Sequence, residues 1–205
     1  MRAPPDLLEL RLDHLVKVVD ELDSKISMLR IPLIITARHP AEGGANNLPM
    51  QRRRELLFRF LPRAQYVDVE LRSAKGLRSV LETAHEKNIR RIISFHDFNS
   101  TPTVRSLCTK ARAAKLCDAD VFKVATRTDT QTQLARLLEF ITNLDVDLAL
   151  SVMGIGKLGR QSRRELIRHG SVLNYAHLGR ANISAQPTLS QIRRWTLNGR
   201  HAVAL

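Results

Sequence analysis

Lys123 stands in the middle of an apolar stretch, VFKVAT, that has the character of a buried strand. Burial disfavours the charged form of an amine, and a neutral amine attacks a carbonyl carbon to form an imine. His96, in RIISFHDF, can move protons near neutral pH. The two residue types together predict imine formation followed by proton transfer. A structural ion pair between Lys123 and Glu70 or Glu9 is the alternative interpretation.

Further polar candidates lie at the C-terminal ends of neighbouring predicted strands or in the segments that follow them. Glu42 could orient the histidine and keep it basic, and Arg11, Arg38 and Arg163 could hold the carboxylate or hydroxyl groups of an anionic substrate. Three candidates have a simpler alternative: His96 as a satisfied core histidine, Glu42 as part of a plain glycine turn, and Arg163 as a solvated residue at a helix start.

Two other kinds of site are not indicated. The seven histidines show no ligand spacing, which argues against a metal centre. The chain also lacks a GxSxG segment, which argues against a Ser-His-Asp triad of the hydrolase type. An imine site therefore remains the favoured chemistry.

A repeating pattern along the chain supplies the elements that must position these residues. Seven short apolar or alternating stretches alternate with amphipathic helical patterns, which predicts a parallel sheet with right-handed crossovers. The stretches begin at Leu7, Pro32, Tyr66, Arg91, Val121, Asp147 and Val172. Helical patterns occupy 14–30, Gln51–Leu61, Gly76–Lys87, Thr103–Lys115, Thr130–Leu144, Arg160–His169 and Leu189–Leu197. No linker interrupts them, so we expect a single domain over residues 1–205.

The parity of the polar residues favours a closed barrel over an open sheet. Asp68 and Glu70 share one face of their strand, Ser94 and His96 share one face of the next, and other strands repeat this arrangement. Polar faces of this kind meet in the interior of a barrel near its catalytic mouth. No GxGxxG or Walker motif follows an early strand, where a doubly wound nucleotide-binding sheet would place it. We therefore expect a (β/α) barrel of the TIM type. Such barrels have eight strands and only seven are visible, so either the barrel is open by one strand or the chain lacks a first strand-helix unit.

Composition limits the remaining classes of protein. The formal charge of +13 could serve nucleic acid, but the basic residues are scattered over helices and only 4% of residues are aromatic, so nucleic acid is an unlikely partner. No apolar run is long enough to span a bilayer, and the N-terminus lacks a signal-peptide pattern. The two cysteines, Cys108 and Cys117, lie in one helix-like stretch and indicate a reducing compartment and thus the cytoplasm.

Several motifs resemble one family, type I 3-dehydroquinate dehydratase, in order and spacing from about Asp6 to the C-terminus. The specific ones are SFHDFNSTP and VFKVAT, which place His96 and Lys123 27 residues apart. The others are LELRLDHL, IITARHPAEGG, YVDVELR, SVMGIGKLGRQSR and SAQPTLSQIRR.

The resemblance implies a (β/α)8 barrel and cofactor-free syn elimination of water from 3-dehydroquinate, giving 3-dehydroshikimate in the route to aromatic amino acids. Lys123 corresponds to the family's Schiff-base lysine, His96 to its general acid and base, and Glu42 to the glutamate that supports the histidine. The substrate-binding positions are Glu9, Leu10, Arg11, Arg38, Arg163, Ser184 and Gln186, with Arg163 the carboxylate partner. The family also implies a homodimer.

Two departures from the family pattern keep alternatives open. The closing loop reads Ser184-Ala185-Gln186, two residues shorter than usual, which predicts a different loop closure. The first strand and helix of the family are absent, which we attribute to a downstream start site or a shortened chain rather than to a true seven-stranded relative. The alternative functions are a ligand-binding barrel relic without turnover and another class I, aldolase-like enzyme that forms a lysine imine.

Overall fold

The computed structural model describes residues 4–177, 179, 186–196 and 203–204 of the chain. Strands and helices alternate throughout this part of the sequence. The chain divides into two compact units, Met1–Ser94 and Phe95–Leu205, and the division falls inside the fourth strand.

The first unit is built on parallel strands in the order β1, β2, β3, β4. The strands are β1 (Leu8–Arg11), β2 (Leu33–Thr36), β3 (Tyr66–Glu70) and β4 (Arg90–Asp97), and the helices between them are α1 (Val19–Ile26), α2 (Met50–Phe60) and α3 (Arg78–Glu86). Burial of the apolar strand residues against one face of each amphipathic helix forms the core, as in α2, where Leu56, Leu57 and Phe60 are buried.

Strand register in the first unit aligns the polar residues on one face. Arg11 pairs with Thr36, Thr36 pairs with Asp68, and Glu70 pairs with Ser94. Residues paired in register project to the same side of a sheet. The parity predicted from the sequence is therefore confirmed within this unit.

The second unit contains strands β5 (Val121–Arg127), β6 (Ala149–Ile155), β7 (Leu173–Asn174) and β8 (Val203–Ala204), with helices α4 (Val104–Leu116), α5 (Gln131–Asn143), α6 (Gly159–Arg168) and α7 (Leu189–Thr196). β5 and β6 are parallel over seven residues, and β7 pairs with β8. α5 begins with a capping box, in which the Thr130 hydroxyl accepts from the Gln133 backbone amide and the Gln133 side-chain carbonyl accepts from the Thr130 backbone amide.

The predicted elements are found close to their expected positions. All seven strands are present, and six of the seven helices, α2 to α7, begin and end within two residues of the prediction. α1 is shorter than its pattern, because 3-10 geometry at Val16–Val18 precedes it. β7 has only two residues, and the short β8 was not predicted. The single domain stays a prediction.

Candidate active site

Glu9 and Leu10 of β1 project to opposite faces of the strand. The Glu9 carboxylate accepts a hydrogen bond of 2.8 Å from Thr36 Oγ1 and lies 3.9 Å from Arg38 Nη2. Leu10 belongs to the apolar core. Of these two predicted substrate contacts, Glu9 therefore contacts polar side chains, Thr36 and Arg38, and Leu10 does not.

Arg11 fixes the loop that follows β2. Its guanidinium donates to both carboxylate oxygens of Asp13 at 2.9 and 2.8 Å and to the Gly43 carbonyl at 3.0 Å. Asp13 also accepts from the Ala45 amide at 2.9 Å and the Arg38 amide at 3.2 Å. Burial alone would raise the Asp13 pKa, but the Arg11 pair and the amides together lower it. The carboxylate is thus held ionised as an anchor for this loop.

Glu42 ends the short 3-10 turn Pro40–Glu42 in that same loop. Its side chain is buried, with a carboxylate oxygen 3.9 Å from Arg72 Nε. Gly43 follows in the left-handed region at φ 83°, which glycine adopts without strain. A Cβ on Gly44 would lie 2.1 Å from the Arg38 carbonyl oxygen, so this position has no room for a side chain. The two glycines give Glu42 a fixed place at the end of the turn.

Arg38 sits at the C-terminal end of β2 and is only 2% exposed. It donates to both oxygens of Asp68 at 2.9 Å, to Glu70 at 3.3 Å and to Ser94 Oγ at 2.6 Å. Burial opposes its charge, but the Asp68 and Glu70 carboxylates outweigh that effect and raise the Arg38 pKa. This predicted substrate arginine is therefore a fixed cation within a protein network.

Arg53 is a member of this network that sequence reasoning missed. It lies on α2, and the run Arg52-Arg53-Arg54 suggests a solvated helix surface, yet Arg53 is 1% exposed. Its guanidinium donates to the Ala37 carbonyl at 2.7 Å and also pairs with Glu70. Glu70 thus lies between two buried arginines, Arg38 and Arg53. Its Oε2 atom pairs with Arg53, and its Oε1 atom accepts from Arg38 and from the His39 amide, the latter at 2.8 Å.

Lys123 lies in the second unit, on β5, and is 3% exposed. Its register partner on β6 is Ser151, whose hydroxyl donates to the Leu173 carbonyl at 2.7 Å. The Lys123 Nζ atom lies 3.9 Å from the centroid of the Tyr175 ring. The amine is thus buried and faces an aromatic side chain to which the sequence analysis gave no role.

His96 is half-buried near the end of β4. Its ring stacks on Phe98 at a centroid distance of 6.3 Å and an interplanar angle of 15°. The neighbouring Asp97 side chain accepts from the amides of Asn99 and Ser100, which fixes the start of the following loop. The imidazole is therefore not enclosed in the apolar core.

Arg163 lies on α6 and is 5% exposed, so the interpretation as a solvated residue is wrong. A Cβ on Gly154 would lie 2.2 Å from Ser162 Oγ, which shows how closely α6 approaches β6. Arg163 Nη1 donates to the Tyr175 carbonyl at 3.1 Å, and no acidic side chain of the described residues pairs with it. Burial lowers the Arg163 pKa to about 10. Such a guanidinium is suited to an anionic group of a ligand.

The last two predicted contacts fall near the chain segment before α7. Gln186 is half-buried and its side-chain amide donates to the Ala176 carbonyl at 3.0 Å. Ser184 lies outside the described residues. Within the described ranges, no three His, Cys, Asp or Glu side chains form a group that could hold a metal ion.

Within the units, the structure gathers the predicted residues into two groups. Glu9, Arg11 and Arg38 are joined in the first unit, and the Glu42 loop is tied to them through Asp13. Lys123 and Arg163 are joined in the second unit, because each contacts Tyr175.

Comparison with known proteins identifies the family. The family model described as type I 3-dehydroquinase matches residues 1–198. The chain belongs to this family. The 3-dehydroquinate dehydratase of Methanothermobacter thermautotrophicus is 30% identical over 193 residues, covering 94% of this chain and 84% of the relative. That of Shouchella clausii is 30% identical over 203 residues, covering 92% and 79%.

Solved structures agree with this assignment. The 3-dehydroquinate dehydratase of Geobacillus kaustophilus matches with a TM-score of 0.87 at 25% identity, covering 95% of this chain and 80% of that one. The type I enzyme of Clostridium difficile matches with a TM-score of 0.85 at 25% identity, covering 95% and 82%. The predicted TIM-type α/β fold class and the predicted lyase class, a hydro-lyase, are confirmed. No helix of the described part is both long and apolar enough for a membrane span.

Proposed function

We propose that the chain removes water from 3-dehydroquinate through an imine at Lys123. The observation that carries the proposal is a buried lysine amine, 3% exposed, in a member of the type I 3-dehydroquinase family. The structure of the Clostridium difficile relative, which contains covalently modified comenic acid, supports covalent chemistry in the family.

The reaction begins when the neutral Lys123 amine attacks the substrate ketone. The carbinolamine takes up one proton from solvent and loses water, which leaves a protonated imine. The imine withdraws electrons and acidifies the adjacent carbon. His96 takes the proton from that carbon, and the same imidazolium then protonates the departing hydroxyl group. Hydrolysis of the imine releases 3-dehydroshikimate and restores the amine, so one water is lost overall.

The arginines and the other polar residues bind and orient the substrate. Arg163 binds the carboxylate, because no acidic side chain of the described residues pairs with its buried guanidinium. Ser184 and Gln186 belong to the loop that closes on the ligand. Glu42 supports the histidine. The remaining substrate positions are Glu9, Leu10, Arg11 and Arg38.

Borohydride trapping tests the reaction directly. The chain is incubated with 3-dehydroquinate and sodium borohydride, and peptide mass spectrometry then locates the reduced adduct. We expect the adduct on Lys123, its loss in Lys123→Met, and no change in Lys87→Met, an exposed matched control. In His96→Gln the reduced adduct should correspond to 3-dehydroquinate and not to 3-dehydroshikimate, because elimination is blocked after imine formation.

Absence of any adduct, together with absence of dehydroshikimate absorbance, would refute catalysis by this chain and favour a ligand-binding relic. An adduct on another lysine would refute the assignment to Lys123.

We also propose a homodimer in the cytoplasm. The family resemblance supports the dimer, and sedimentation velocity should give twice the mass of the chain. Cys108 and Cys117 are free thiols, in keeping with a reducing compartment. Fractionation of the source cells would check the location.

A further inference from the structure

Tyr175 makes two contacts that join the reacting nitrogen to the carboxylate-binding arginine. Its ring centroid lies 3.9 Å from Lys123 Nζ, and its backbone carbonyl accepts from Arg163 Nη1 at 3.1 Å. The residue is 7% exposed, so both contacts are shielded from water. A cation within about 6 Å of a ring centroid is attracted by the negative face of the ring, and desolvation strengthens that attraction.

Hydrogen bonds from β6 fix the chain segment that leads to Tyr175. The Ser151 hydroxyl, beside Lys123 in register, donates to the Leu173 carbonyl at 2.7 Å. The Val172 amide donates to the Leu150 carbonyl at 2.9 Å. Tyr175 directly follows β7, so the backbone that carries its ring is tied to β6, the strand that pairs with Lys123 of β5.

We propose that the Tyr175 ring is the electrostatic partner of the reacting nitrogen and stabilises the protonated imine on Lys123. This inference rests on the proposed function. The Lys123 amine, one ketone and one proton give one protonated imine and one water, so this nitrogen carries a positive charge in the covalent intermediate. The ring that lies beside the Lys123 nitrogen in the free protein therefore faces this charge in the covalent intermediate.

The two contacts of Tyr175 use different parts of the residue, and this separates their effects. The Arg163 guanidinium is bound by the backbone carbonyl, which every substitution retains, whereas the cation is faced by the side-chain ring. Variants that remove the ring or weaken its negative face should therefore change kcat and the amount of imine, with little change in KM. A residue with only a structural role would not lower kcat while leaving KM nearly unchanged.

The test compares Tyr175→Phe with Tyr175→Leu in the full chain. At saturating 3-dehydroquinate, we expect Tyr175→Phe to keep kcat and the borohydride-trapped fraction within about threefold, because the ring remains. Tyr175→Leu should lose roughly tenfold in both, the size of a desolvated cation–π contact of about 1.4 kcal/mol.

A fluorinated series covers the case in which Tyr175→Leu fails to fold. Phenylalanine with one, two or three ring fluorines at position 175 keeps the shape but weakens the negative face of the ring step by step. The logarithm of the trapped fraction should fall with each fluorine, and the melting temperature should remain nearly constant.

Three results would overturn the inference. Fluorination without effect would exclude the ring electrostatics, and equal losses in Tyr175→Phe and Tyr175→Leu would assign the effect to the hydroxyl group. A natural chain that forms no Lys123 adduct would overturn the proposed function and this inference together. An adduct on the natural chain that is insensitive to fluorination would overturn the ring's role alone.

Discussion

Arg163 carries a charge that the ligand-free fold does not compensate. Burial lowers the Arg163 pKa from its usual range to about 10, and its hydrogen bond among the described residues is to a neutral carbonyl, that of Tyr175. At about 1.36 kcal/mol per pH unit, the charged guanidinium costs the fold roughly 3 kcal/mol. The unfolded chain binds the proton more tightly, so this cost applies at every pH below 10 and fades only above it.

Arg163→Met should therefore stabilise the ligand-free protein at pH 7. Loss of the hydrogen bond to the Tyr175 carbonyl offsets about 1 kcal/mol, which leaves a gain of about 2 kcal/mol. For a chain of this length, that gain should raise the melting temperature by roughly 4 to 8 °C in calorimetry. The same variant should lose most of its affinity for 3-dehydroquinate, because the carboxylate loses its charged partner.

Arg164→Met is the matched control, since Arg164 is the exposed neighbour on α6 and should change neither quantity by much. A fall in the melting temperature of Arg163→Met, with Arg164→Met unchanged, would refute the reasoning. It would mean that the guanidinium stabilises the ligand-free fold and is not reserved for a ligand.

Two further substitutions address the first unit. Arg53→Met removes one of the two cations beside the buried Glu70 carboxylate and should lower the free energy of unfolding in urea by about 3 to 5 kcal/mol. Arg52→Met, on the exposed side of α2, should lower it by less than about 0.5 kcal/mol. Equal effects of the two substitutions would contradict the buried pair. Gly44→Ala places a Cβ 2.1 Å from the Arg38 carbonyl oxygen and should displace the loop after β2. We expect kcat/KM, measured by dehydroshikimate formation, to fall at least tenfold. Unchanged activity would show that the loop has no part in turnover.

Local sequence patterns located most helices and strands of the fold. The period of apolar residues located α2 to α7 within two residues, because helix ends depend on caps and on the last buried side chain. The same patterns did not find the two residues of β8. A strand this short has no recognisable alternation, and its assignment depends on the neighbour with which it pairs.

The charge state and surroundings of individual residues were harder to infer. Consecutive arginines on α2 look equivalent in the sequence, yet Arg53 is buried while Arg52 is exposed. The direction in which a helix residue points is set by the neighbours that the helix packs against. Tyr175 likewise became relevant only when its ring was found beside Lys123.

The sequence by itself determined the strand-helix order, the parity of the polar residues and the motifs around His96 and Lys123. These properties depend on residue type and spacing along the chain, and the family comparisons confirmed the class of fold and enzyme to which they point. Tertiary structure decided that Arg38 is held by acidic side chains, whereas Arg163 meets a carbonyl and Lys123 an aromatic ring. Electrostatic energy depends on distance and burial, and residues far apart in sequence acquire both only when the chain folds.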